Sequence, residues 1–267
     1  MNLKNLSDKL RYSIIKMSSS TGSPHLASSL SCIDIVTTLY ESVLKIDSKN
    51  SKWDQRDRFI LSKGHAAAAL YVALEYKKFI SKQDLESYTK KGSLLEEHPS
   101  PKLNGVEAAT GSLGHGLPIG CGMALSAKIK KKDFMTYVLM SDGECNEGSV
   151  WEAALFAPAK KLNKLCAVVD YNKWQATGKS KDILSLGSLT EKFEKFGWKV
   201  KEIDGHNHDE IYSTCIAAKS ELEKPTMIIA NTIKGKGVSF MENDNNWHYR
   251  IPTNEEVLIA KKELNIE

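Results

Sequence analysis

Two oxygen-bearing side chains, Asp142 and Asn172, bracket the stretch SDGECNEGSVWEAALFAPAKKLNKLCAVVDYN. Each comes just after an apolar, β-rich run, TYVLM before Ser141 and CAVVD before Tyr171, and a helix-like segment opened by Glu144 and Glu147 separates them. Strand, helix, strand in that order is a crossover that lays two parallel strands side by side, so both oxygens end at one crevice. A carboxylate and an amide oxygen, completed by water and diphosphate oxygens, suit octahedral magnesium, which seldom receives an all-protein cage. The pair therefore predicts a diphosphate-bearing cofactor. Asp-Gly turns and an Asn after a strand are ordinary loop chemistry when they stand alone; the spacing and the company of other motifs lift this pair above that background.

The elements that would position these groups can be read from periodicity. Residues 3–18 and 31–45 have helical apolar spacing, with the small-residue segment SSSTGSPHLASS between them as a loop. RFILS at 58–62 reads as a strand, followed by a helix from His65 to about Lys78 and a piece capped by Ser81. The Gly- and Pro-rich stretch 91–112 is a long loop, the kind that is more often functional than idle. A Gly- and Ala-rich helix is expected from Leu113 to Lys131, strands at 136–141 and 166–170, and a mobile loop at 173–188. Strands near 198–203 and 226–231 flank a helix at 208–223, and a loop at 234–250 precedes a charged helix from about Asn254. This alternation predicts an α/β fold, a parallel β-sheet covered by helices on both faces, in one domain spanning residues 1–267.

Composition sets wide bounds. The chain has 267 residues, is 41% hydrophobic and 26% charged, and carries a net charge of +4. Its basic residues are scattered, and Lys130-Lys131-Lys132 reads as a surface helix end rather than a nucleic-acid contact. No run is long and apolar enough to span a membrane, and MNLKNLSDKL is no signal peptide. Cys32, Cys121, Cys145, Cys166 and Cys215 lack CxxC or zinc spacing and read as reduced core thiols of a cytoplasmic protein.

Six segments together, SPHLASSLSCIDI, FILSKGHAAAALY, EEHPSPKLNGVEAATGSLGHGL, SDGE, DYNKWQATG and IKGKGVSFMENDNNWH, occur in the order found in the N-terminal half of transketolases, which the chain resembles nearly end to end. The resemblance implies the thiamine diphosphate-binding fold, with thiamine diphosphate and Mg2+ as cofactors. It implies that Asp142 and Asn172 bind the metal through side chains and Trp174 through its backbone carbonyl. Gly143 would bring its N–H to the diphosphate, Gly111 and Leu113 would lie against the aminopyrimidine, and Glu147 would join a carboxylate relay between paired sites. His25, His65, His98 and His248 match the histidines that ring the cofactor and supply protons, His65 and His248 also counting among its contacts. His206 and His208, beside the turn-like Asp204-Gly205, and His115 read as surface or locally bonded.

The chain matches the diphosphate-binding half only, so the resemblance implies a split transketolase, an α2β2 assembly with a separate C-terminal, pyrimidine-binding subunit. Two departures stand out. Ser141 replaces the first Gly of the usual GDG, and PHLASS replaces GHPGGS around His25, adding stiffness and bulk. Tyr249 and Arg250 follow His248 where Gly is usual, and Arg250 is either a phosphate contact or a surface residue. These changes point to a substrate other than the usual pentose phosphates, a nucleotide-linked or otherwise modified sugar. Alternatives are the α-subunit of a thiamine diphosphate enzyme acting on 2-oxo acids, and a non-catalytic module of the same fold. A dinucleotide-binding domain fits least, for no GxGxxG follows an early strand.

Overall fold

A computed structural model describes residues 2–266; Met1 and Glu267, the ends of the expected domain, lie outside the described residues. The order is α1 (Leu3–Thr21), α2 (Leu26–Thr38), β1 (Arg58–Leu61), α3 (Ala67–Tyr76), α4 (Lys82–Glu86), α5 (Gly116–Ile129), β2 (Thr136–Ser141) and α6 (Gly148–Ala159). It continues with β3 (Leu165–Tyr171), α7 (Ser180–Leu184), α8 (Leu189–Lys195), β4 (Lys199–Asp204), α9 (His208–Lys219), β5 (Thr226–Asn231) and α10 (Asn254–Glu263).

The five strands form one sheet in the order β1-β2-β3-β5-β4, every pair parallel. The burial of the strands follows from their side chains. TYVLMS, LCAVVDY and TMIIAN are buried almost throughout and occupy the centre, whereas KVKEID is mostly exposed and forms an edge. Apolar side chains of α5, α6 and α8 (Leu117, Val150, Phe193) cover one face, and those of α1, α2, α3 and α9 (Ile14, Ile33, Leu70, Cys215) the other. The chain leaves β3 toward the α8 face and β5 toward the face that carries α10, which packs on α1. The exits diverge, and a crevice opens at the carboxyl edge of the sheet.

Three local expectations need correction. The SSSTGSPHLASS segment is a loop only as far as His25, because α2 begins at Leu26; every residue of α2 is buried, so its serines face protein instead of marking a polar face. Residues 113–115 precede α5 instead of opening it. Residues 173–188 carry a bridge between Trp174 and Lys179 and the short helix α7, and α8, which has no counterpart in the sequence reading, follows. Among the described residues no helix is long and apolar enough to cross a membrane, and all five cysteines are free and buried.

Candidate active site

In the parallel register Ser141 lies beside Asp170, and Tyr171 beside Asn231. Asp142, Asn172 and Thr232 therefore leave three neighbouring strands at one edge. Asp142 and Asn172 are buried, at 3% and 4% exposure. Asp142 accepts the N–H of Gly143 (2.9 Å) on Oδ1 and the Ser180 hydroxyl (2.8 Å) on Oδ2. Its burial pushes its carboxyl up to about 6.

Asn172 is oriented from below. Its amide N–H2 points to Asp170 Oδ2 and Ser31 Oγ, both at 3.3 Å, and its Oδ1 accepts from Trp174 N at 3.0 Å. Asp170 is itself fully buried and receives Lys63 Nζ and the hydroxyls of Ser31 and Thr232. Lys63, equally buried, also donates to Ser28 O at 2.9 Å. Burial opposes both charges, but each holds the other ionised: the Lys63 pKa is raised and the Asp170 pKa lowered. The sequence reading missed this pair. An Asp closing an otherwise apolar strand and a Lys just beyond β1 were the available signals.

Four imidazoles meet at the same edge. Ring centroids lie 5.0 Å apart for His25 and His248, 5.6 Å for His25 and His65, 5.9 Å for His65 and His248, and 6.4 Å for His25 and His98. His65 arrives from the exit of β1. His25 takes a left-handed conformation (φ 65°) and donates its N–H to His248 O (2.8 Å), which ties two distant loops together. A non-glycine residue held in this region stores strain, as is common at functional sites. His98 is brought in by the 91–112 loop, which folds back on β1 through Thr110 Oγ1 to Leu61 O (2.7 Å). Gly111 makes this close approach possible, since a Cβ there would stand 2.7 Å from the His98 ring and its φ is +146°.

Burial, followed by nearby cations and imidazoles, holds His65 well below its ordinary range and His248 at about 3. Burial also lowers His25, against the opposing pull of Glu97. Lys234, lowered to about 8 by burial, donates to Asn245 Oδ1 (2.6 Å) and lies 3.1 Å from His248 Nδ1. At neutral pH these rings are uncharged, so they serve as proton acceptors and as neutral donors rather than as fixed cations.

A second carboxylate missed from sequence is Glu144. It is fully buried and accepts the Ser62 hydroxyl, Gly114 N (2.8 Å) and Ser141 N (3.3 Å), joining the loops that carry His65, Leu113 and Asp142. Glu147 is exposed, its side chain against Gly114. The remaining histidines divide. His115 is exposed, as expected, but His206 and His208 are not merely local: their rings reach Asp34 and Thr38 on α2, both at 2.8 Å. Arg250 pairs with Glu256 and covers the Trp247 ring, so it behaves as a surface residue, while Tyr249 packs edge-on to His25 and His248.

The donor set suits a magnesium diphosphate. Among the described residues no three His, Cys, Asp or Glu side chains could hold a metal together, so Asp142 and Asn172 would need oxygens from a ligand. The buried Nε2 of Gln175 has no partner, and a Cβ on Gly143 would stand 2.9 Å from the Gln175 side chain. An unpaired buried donor beside a glycine-lined approach fits a phosphate oxygen. A cleft of ≈ 670 Å³ opens next to Asn172 and Trp174, lined also by Ser180 and Thr232.

Comparison with known proteins agrees with this geometry. Residues 3–267 match the family described as transketolase, thiamine diphosphate binding domain. One of the two chains of the apulose-4-phosphate transketolase of Phocaeicola vulgatus is 40% identical over 97% of this chain and 92% of its own. The 6-deoxy-6-sulfo-D-fructose transketolase subunit SqwG of a Clostridium species is 43% identical over 83% of this chain and 81% of its own. The crystal structure of transketolase from Campylobacter jejuni superposes with a TM-score of 0.94 at 32% identity, covering 100% of this chain, which spans 44% of the length of that one. Motifs, fold and relatives agree: the chain belongs to the transketolase family, matching its thiamine diphosphate binding domain.

Proposed function

We propose that this chain is the N-terminal, diphosphate-binding subunit of a two-chain transketolase, which transfers a two-carbon ketol unit from a ketose to an aldose or modified-sugar acceptor. The observation that carries this reading is the meeting of His25, His65, His98 and His248 at the sheet edge where Asp142 and Asn172 emerge. Bound thiamine diphosphate supplies the nucleophilic carbon and electron sink needed to break a bond beside a ketose carbonyl. Asp142, Asn172 and the Trp174 carbonyl hold Mg2+, Gly143 N–H and Gln175 face the diphosphate, and Gly111 and Leu113 flank the aminopyrimidine. The neutral histidines take and return protons at substrate oxygens, and Lys234 adds positive charge beside His248.

The partner supplies the pyrimidine-binding half, in an α2β2 assembly with Glu147 at the self-contact. Relatives that are named as transketolase subunits, and that match over most of their own length, support a separate partner. Their substrates, apulose 4-phosphate and 6-deoxy-6-sulfo-D-fructose, support a modified sugar rather than a plain pentose phosphate; nothing in those names favours a nucleotide-linked one. We take residues 1–267 as one domain working in the cytoplasm, where buried free thiols are at home. The 2-oxo acid and non-catalytic alternatives are not favoured by the family match.

The test is a pull-down from native lysate with Mg2+ and thiamine diphosphate present, followed by a ketol-transfer assay of whatever co-purifies in stoichiometric amount. Recovery of a pyrimidine-domain partner, with activity in the complex alone, supports the proposal. Ketol transfer by the purified chain alone, or an active complex that transfers no ketol unit, overturns it.

A further inference from the structure

Asp34, midway along α2, is buried at 5% exposure, and its Oδ2 accepts from Arg11 Nη2 and from His206 Nδ1, each at 2.8 Å. The other ring nitrogen of His206 lies 2.9 Å from the backbone nitrogen of Ile233. A backbone N–H can only donate, so Nε2 must be the acceptor and Nδ1 must carry the proton, the tautomer that the Asp34 carboxylate selects. The ring is thus fixed at both ends.

Ile233 belongs to the short segment that leaves β5. Its neighbours are tied in turn: the Thr232 hydroxyl to Asp170, Lys234 Nζ to Asn245 and His248, and Gly235 N to Ala27 O (3.1 Å), two residues past His25. The Ile233 N–H lies beyond the last sheet residue and has no ladder partner, so His206 provides the acceptor that a strand would otherwise give. We infer that His206, oriented by Asp34, is a positioning residue of the candidate site, fixing the exit of β5 so that Lys234 stands against His248. It acts through the backbone of Ile233 and is no catalytic residue. The importance of that geometry for catalysis rests on the function proposed above, but the placement can be tested without substrate, cofactor or partner, so the two ideas can fail separately.

Two amides dissect the ring. In His206→Gln the side-chain oxygen reaches the Nε2 position and can accept from Ile233, whereas in His206→Asn the amide lies at the Nδ1 position and serves Asp34 only. The readout is the titration of the His248 ring by NMR in the full-length chain, with circular dichroism to verify folding. Lys234, His25 and Lys63 all act on that ring. The expected result is a His248 midpoint unchanged in His206→Gln and raised by about one pH unit in His206→Asn, as Lys234 draws away. No change in either variant, or an equal rise in both, overturns the inference. If a variant does not fold, the 15N shifts of His206 in the wild-type chain decide: protonation at Nδ1 supports the assignment, and protonation at Nε2 overturns it.

Discussion

Asp170→Asn is the most informative single substitution, because it removes the charge on which Lys63 and Asn172 both depend. In the native chain Asp170 takes hydrogen bonds from Lys63, Ser31, Thr232 and Asn172, and neither Asp170 nor Lys63 has any exposed surface. The asparagine leaves the Lys63 ammonium with Ser28 O and Ser31 Oγ only, and its N–H2 must face a donor. Stranding one partner of a buried ion pair costs roughly 3–5 kcal/mol. At an unfolding entropy of about 2.1 cal/mol/K per residue, ~4 kcal/mol lowers the Tm of a chain this long by about 7 °C. Lys63→Met is the control: Asp170 keeps three donors, so the loss is that of one charged hydrogen bond, about 1.5–3 kcal/mol or roughly 3–5 °C. Scanning calorimetry at pH 7.5 measures both. An Asp170→Asn variant within about 2 °C of wild type, or a Lys63→Met variant that is the worse of the two, would refute the reasoning.

Asp142→Ala should abolish Mg2+-dependent thiamine diphosphate binding by the assembled enzyme, measured by isothermal titration, because the diphosphate loses its anionic metal ligand; unchanged affinity would sink the metal assignment. The folded-state pKa values of His25, His65, His208 and His248 all lie below 6.5, so between those values and 6.5 the unfolded chain binds more protons. Their contribution is complete above pH 6.5 and declines as pH falls, while that of Asp34 and Asp170 declines only below about pH 3.8. Tm should therefore drop between pH 7.5 and 5.5, and a flat or rising curve contradicts this. Gly111→Ala places a methyl group 2.7 Å from the His98 ring at a φ of +146°, and should displace His98 and lower kcat/KM by about tenfold or more; wild-type kinetics would show that the 91–112 loop yields without consequence.

Much of the architecture is carried by local pattern. The order of strands and helices follows from apolar periodicity, and even the placement of β4 at an edge is visible in KVKEID, whose alternating charges a central strand could not bury. The metal-ligand pair is visible for the same reason: Asp142 and Asn172 each end a strand, and a parallel crossover brings strand ends together whatever the loops do. The six motifs gave the family. Where local pattern failed, the cause was burial on every side: α2 has no polar face to mark its first turn, and its serines serve Lys63 and Asp170 instead of water.

Tertiary structure alone decided which distant groups meet. Lys63 and Asp170 are 107 residues apart, and Asp34 and His206 are 172 apart. Neither pairing has a spacing signature, since each forms only when the sheet and α2 have packed and water has left. The same packing turns four loop histidines, ordinary in sequence, into neutral bases at one edge, because desolvation depends on what surrounds a ring and not on what precedes it in the chain. Sequence determined the strand ends and the groups placed on them; the folded protein determined their orientation and charge.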